Sequence, residues 1–191
     1  MSVMPSRNRT AGFTLFELLM VMVVVAIMMG IGIPSFKYVS SSNRIAAELN
    51  LLVGDLQYAR SEAIKEGNFV TVCASSDQQT CSGSDTWETG WIVFADGNAN
   101  KTFESANDTL LRKRPAFSAN NSTDTLASTS STMTAIMFNR EGYASTGANA
   151  VAYMQLHSTP TNNSWTRCLQ VTPVGGLAMM TYGQGSTPSC Q

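Results

Sequence analysis

The chain holds a single histidine, His157, and lacks the patterns that announce a catalytic or nucleotide site: there is no G-x-S-x-G, H-E-x-x-H, P-loop or G-x-G-x-x-G. With one imidazole the commonest general base is scarce, and His157 stands in a β-rich run where a structural role is the simpler account. The sequence gives no reason to expect an enzyme or a cofactor. Charge is also sparse. Asp, Glu, Lys and Arg make up 13% of the residues, about half the usual share, and the formal net charge is -1, which argues against a polyanion binder. No cysteine occurs before Cys73, no C-x-x-C occurs anywhere, and no cysteine cluster lies near His157, so a zinc site is disfavoured and no metal is expected.

What is present divides the 191 residues unevenly. Residues 1–12 are short and polar, with Arg7 and Arg9. Phe13 to Ile33 follows as an apolar run of 21 residues whose only charge is Glu17, long enough as a helix to reach across the ~30 Å core of a bilayer. A secretory signal peptide does not fit, because the small-residue junction precedes the apolar run instead of closing it. A plain membrane anchor leaves Glu17 unexplained. A carboxylate inside an apolar helix is tolerated mainly when a cation partners it.

The residues around that junction, Gly12-Phe13-Thr14-Leu15-Phe16-Glu17-Leu18-Leu19, resemble the type IV prepilin motif. Phe16 departs slightly from it, aliphatic residues being commoner there. The resemblance implies that a prepilin peptidase cuts after Gly12 and methylates the new N-terminal Phe13. It also implies that the Phe13 amine neutralises Glu17 of a neighbouring subunit during assembly. The physics agrees: inside an apolar bundle, a stagger that leaves either charge unpaired is heavily penalised, so Glu17 sets the register. Cleavage removes Arg7 and Arg9 and leaves 10 basic against 13 acidic side chains, a formal -3.

Pro34 lacks the N–H a helix needs, which predicts a kink or local melting there. Beyond it, Ile45, Leu49, Leu52, Leu56, Ala59 and Ala63 repeat at spacings of three and four, one apolar stripe fit to cover a sheet. Arg44, Glu48, Asp55, Arg60 and Lys65 are expected to decorate the remaining faces. Gly67 is the expected stop. Short β-rich runs then follow: Phe69 to Cys73, Trp91 to Ala95, Leu110 to Arg114, Ala135 to Phe138, Val151 to Leu156, Cys168 to Val171 and Leu177 to Tyr182. Such runs predict a mainly antiparallel sheet, hence an α+β class. Ser118 to Thr134, rich in Ser, Thr and Asn, reads as a long exposed loop whose sequons, such as Asn120-Asn121-Ser122, follow from composition.

Four cysteines, Cys73, Cys81, Cys168 and Cys190, suggest an oxidising compartment and two disulfides. Three connectivities are open; sequence order favours Cys73 with Cys81 and Cys168 with Cys190. Asp96-Gly97-Asn98-Ala99-Asn100 has oxygen ligands at alternate positions but no glutamate to complete a calcium loop, so a polar strand connection is the better reading. Trp91 is expected in the core, and Trp87 on a loop is undecided.

Three later blocks extend the resemblance: Tyr58-Ala59-Arg60-Ser61-Glu62-Ala63-Ile64-Lys65, Val70-Thr71-Val72-Cys73, and Gly90-Trp91-Ile92-Val93-Phe94-Ala95-Asp96. With the late turn Val171-Thr172-Pro173-Val174-Gly175 they are similar to the GspH/FimT family of minor pilins and pseudopilins. This implies a type IV pilin fold: leader 1–12, transmembrane and assembly helix 13–34, periplasmic head 35–191. It implies as partners other major and minor pilins, the peptidase, the inner-membrane assembly platform and, before assembly, membrane lipid. The implied location is the inner membrane with the head in the periplasm, then the pilus and cell surface. The leading expectation is a minor subunit that initiates or caps a type IV pilus; the alternatives are a type II secretion pseudopilin and a DNA-binding pilin of natural transformation. Some relatives bind DNA through a G-R-x-R turn, but here that stretch is Gly175-Gly176-Leu177-Ala178, without arginine. Strand alternation would split the lone basic cluster, sending Arg112 and Arg114 to one face and Lys113 to the other, so nucleic acid is disfavoured.

Overall fold

A computed structural model describes residues 12–117, 124–128, 133–147, 151–158, 161–184 and 190, with side chains 32–35 and 37 outside the description. Most of the expected leader, with Arg7 and Arg9, and the Asn120 sequon therefore lie outside the described residues. The chain forms two compact units, residues 1–40 and 41–191.

Helix α1 runs from Leu15 to Glu66. Its start is specified locally. Thr14 Oγ1 accepts the Glu17 N–H at 3.2 Å, and the Thr14 carbonyl accepts the Leu18 N–H at 3.2 Å. Thr-x-x-Glu is the capping-box spacing, so Thr14 satisfies a donor that would otherwise be orphaned, and Glu17 stands in the favourable first turn of the dipole. Helical structure continues through Pro34, so the local melting expected there does not occur. In the first unit the described apolar side chains are exposed from Leu15 at 82% to Ile31 at 71%.

In the second unit the helix is amphipathic, and Ile45, Leu49, Leu52, Leu56, Ala59 and Ala63 are all fully buried. It ends where Gly67 takes φ +64° and the Asn68 N–H bonds back to the Ala63 carbonyl at 3.2 Å. A left-handed residue with that six-residue closure satisfies the last carbonyls, and glycine enters it without strain.

The described strands form two antiparallel sheets, where the sequence suggests one. Strands β1 (Val70–Ala74), β2 (Gly90–Ala95), β3 (Thr109–Pro115), β5 (Ala135–Phe138) and β6 (Ala144–Ser145) make one, ordered β3-β2-β1-β5-β6. The other is β4-β7-β8-β9, from β4 (Thr125–Ser128), β7 (Ala152–His157), β8 (Arg167–Val171) and β9 (Leu177–Thr181). A 3₁₀ turn, Trp87–Thr89, precedes β2. Strand β1 is buried on both faces: Val70 and Val72 pack toward the helical stripe, while Cys73 joins Ile92, Phe94 and Ala135 in a smaller cluster behind. The main core joins that stripe to Trp91, Val93, Ile136 and Phe138 of the first sheet and to Leu126, Met154, Leu156 and Leu169 of the second. Each such side chain contributes roughly 1.5–3 kcal/mol of transfer free energy, which makes this stripe the main driving force for the head.

Strand β4 corrects the loop expected over Ser118 to Thr134. Of the described residues in that stretch, Leu126 and Met133 are buried, and Thr125 to Ser128 pair with His157 to Met154. A Thr-Leu-Ala-Ser run carries little β signal of its own; pairing with a strand nearly thirty residues on supplies what propensity does not.

Candidate assembly segment and the buried charges of the head

Gly12 and Phe13 precede α1 and are exposed, Phe13 at 80%. Glu17 is exposed in the first turn, and no ion pair reaches it among the described residues. The apolar surface continuing from it through Leu18, Val24 and Ile27 is far larger than a monomer in water leaves open. Among the described residues no helix is long and apolar enough to cross a membrane. The side chains of 32 and 33, which end the sequence run, lie outside those described.

In the head the charges expected on solvent-facing sides of α1 turn inward at two positions. Asp55 is fully buried. Its carboxylate receives Arg112 at 3.0 Å, Arg114 Nε at 2.7 Å and the Trp91 indole N–H at 3.0 Å. The register explains the convergence: Trp91 lies opposite Arg114 and Val93 opposite Arg112, so these side chains share the face toward α1, while Lys113, opposite Ile92, points away. Burial alone would raise the Asp55 carboxyl, but hydrogen bonds from Arg114, Arg112 and Trp91 outweigh it and hold the pKa below the usual range. Arg112 also stacks 3.5 Å above the Tyr58 ring. Two of the three residues of the basic cluster are thus committed to an internal carboxylate.

Glu48 is the second inward charge, 6% exposed, and lies two turns before Asp55 on the same helical face. A separation of seven, with Leu52 between, is the signal in the sequence that could have revealed both. Arg60 fastens the other end of the head. It donates to the carbonyls of Gly175 at 2.9 Å and Val174 at 3.1 Å, while the Ala144 N–H bonds to the Pro173 carbonyl at 2.8 Å, joining the two sheets. Gly175 has φ +74°, and a Cβ there would collide with the Gly142 carbonyl. That packing gives the Val174–Gly175 turn a structural task and offers no cation to a ligand.

Disulfides join Cys73 to Cys81 and Cys168 to Cys190. Trp87 and Trp91 are both buried, and Trp87 donates its indole N–H to the Met133 carbonyl at 3.1 Å. Asp96 accepts from Thr71 Oγ1, Asn100 N–H and Lys101 N–H, so the polar stretch is a strand connection tied to its own backbone. His157 ends β7 opposite Thr125. Among the described residues no group of three or more His, Cys, Asp or Glu gathers to hold a metal.

Residues 7–33 match the prokaryotic N-terminal methylation motif, and residues 48–175 match the family model of the type II transport protein GspH. The chain belongs to the GspH family. It is accordingly a minor pilin or pseudopilin, and its methylation motif implies prepilin peptidase processing. Solved structures similar to this GspH-family chain include the type IV minor pilin FimU of Pseudomonas aeruginosa in two crystal forms. One is 21% identical with a TM-score of 0.57, covering 82% of this chain and 99% of that one. The other is 19% identical with a TM-score of 0.52, covering 80% and 98%. The minor pseudopilin EpsH of the Vibrio cholerae type 2 secretion system is 10% identical with a TM-score of 0.48, over 74% and 99%. The fold is thus that of a type IV pilin, an N-terminal helix followed by antiparallel sheets. No curated protein matches the chain in sequence.

Proposed function

We propose that this chain is a minor subunit of a type IV pilus, cut after Gly12 and methylated on Phe13, that helps initiate or cap the fibre. The observation that carries the reading is the exposed apolar run beginning at Phe13, with one carboxylate, Glu17, in its first turn. Before assembly this run rests in the inner membrane, with the head in the periplasm. Extraction by the assembly platform replaces lipid with neighbouring pilin helices, and the Phe13 ammonium of the new chain pairs with a Glu17-type carboxylate beside it. Two disulfides suit a head that works in an oxidising compartment. The work is structural: the subunit has partners but no substrate.

A second reading, service in a type II secretion pseudopilus, is favoured by the GspH family match itself. It shares every step up to assembly. Deleting the gene and scoring fibres and secreted proteins in the same culture separates the two. Loss of surface fibres with secretion intact is the expected result; intact fibres with failed secretion would transfer the subunit to the other machine. DNA binding gains no support, since Arg112 and Arg114 already pair with Asp55.

A further inference from the structure

Glu48 and Asp124 bury two carboxyl groups around one guanidinium. Their side chains are 8% and 1% exposed, against 40% for Arg44. Arg44 Nε lies 2.9 Å from Asp124 Oδ2, its NH2 group lies 3.0 Å from Asp124 Oδ1, and its Nε lies 3.9 Å from Glu48 Oε1. The planar fork is thereby occupied by Asp124. Glu48 Oε2 is buried and has no hydrogen-bond partner among the described residues. With both carboxyls ionised, one negative charge would sit inside the head without a cation of its own.

Among the described residues the surroundings do not supply one. On α1, Asp55 is also acidic; from β3, Arg114 is held by Asp55. From the 3₁₀ turn, Glu88 accepts the Leu126 N–H at 3.3 Å and adds a further negative charge. From β7, His157 stands opposite Thr125, the residue after Asp124. A hollow of about 330 Å³, lined by Arg44, Leu51, Trp91, Arg114 and Phe117, adjoins Glu48 and gives a proton a route to solvent.

We propose that Glu48, Asp124 and Arg44 form a proton-operated latch, in which a proton on Glu48 fastens the start of β4 to α1 and its loss loosens that attachment. Strand β4 suits such control, being a four-residue edge strand that pairs with β7 on one side only and is anchored besides by the buried Leu126 and by Glu88. Burial, reinforced by Asp124 beside it and opposed by Arg44, pushes the Glu48 carboxyl up to about 7. The native head then keeps a proton that the unfolded chain releases near 4.5, so stability falls as pH rises from about 4.5 through about 7 and is level above.

The test uses the full chain in detergent micelles, melted from pH 5 to 8.5, with amide exchange at Leu126 corrected for its intrinsic pH dependence. The wild type should lose roughly 5 °C or more of Tm between pH 5 and 7.5 and level off, with Leu126 exchange rising about tenfold. Glu48→Gln, which keeps a neutral donor, should hold the acid-side Tm up to pH 8. Asp124→Asn should flatten the profile by freeing Arg44 for Glu48. A wild-type profile flat across this window, or Glu48→Gln with an unchanged slope, overturns the latch. Should neither variant fold, carboxyl NMR of the wild type decides: a Glu48 midpoint near 7 supports the latch, and one below 5.5 overturns it.

Discussion

One helix carries two sequences of opposite design. Up to Ile31 the described part of α1 is apolar all round except at Glu17, and exposed on every side. From Ile45 to Ala63 the apolar residues keep to one stripe, and that stripe is fully buried under strands of the same chain. The second region is therefore satisfied within the monomer, whereas the first needs lipid or another chain to cover it. Charge follows the same division. Asp55 finds two arginines and an indole inside its own head, while Glu17 has no ion pair among the described residues. On the proposed function, a neighbouring chain brings the cation that Glu17 lacks.

The sharpest way to break this contrast is to remove that requirement. Glu17→Val should leave the head folded, with its circular dichroism unchanged, yet reduce recovery in sheared fibres by an order of magnitude or more. Undiminished incorporation would mean that Glu17 sets no register. Next in size is the buried stripe: Leu52→Ala should destabilise the head by about 2–5 kcal/mol in denaturant titration without touching processing of the N-terminus. Asp55→Ala strands two guanidiniums and should cost about 3 kcal/mol, near the lower end for a broken buried pair because Arg112 and Arg114 are 40% and 37% exposed. The sign with pH is fixed. A carboxyl held low stabilises above its unfolded pKa near 3.8 and loses that contribution as pH falls through the folded value, so the Asp55 variant should differ least from wild type in strong acid. The smallest effect belongs to Arg140→Ala at an exposed pair with Glu141, which should move Tm by less than about 2 °C.

These regions also differed in how much their residues disclosed. Helical periodicity is local, so the stripe from Ile45 to Ala63 could be read residue by residue, and the Gly67 stop with it. Runs such as Ile92-Val93-Phe94 announce strands because β-branched and aromatic side chains favour a pleated surface. Strand β4 did not announce itself, because the burial of Leu126 depends on β7 and on the Glu88 contact. The division into two sheets was hidden for the same reason: nothing local says that β1 pairs with β5 while β4 pairs with β7. The spacing of Glu48 and Asp55 about Leu52 puts both on the buried face, but the groups that stabilise them there, Arg44 with Asp124 and the alternating side chains of β3, come together only when distant segments meet. Thr14 belongs to the N-terminal motif, and its spacing to Glu17 is also that of a capping box.

The fate of the N-terminus decides whether the chain is a fibre subunit. Fibres sheared from cells and analysed by intact mass and N-terminal peptide sequencing should yield this chain beginning at Phe13, with one methyl group on its amine and other pilins alongside. Recovery of the chain with residues 1–12 still attached, or only in fractions free of fibres and pseudopili, would contradict it.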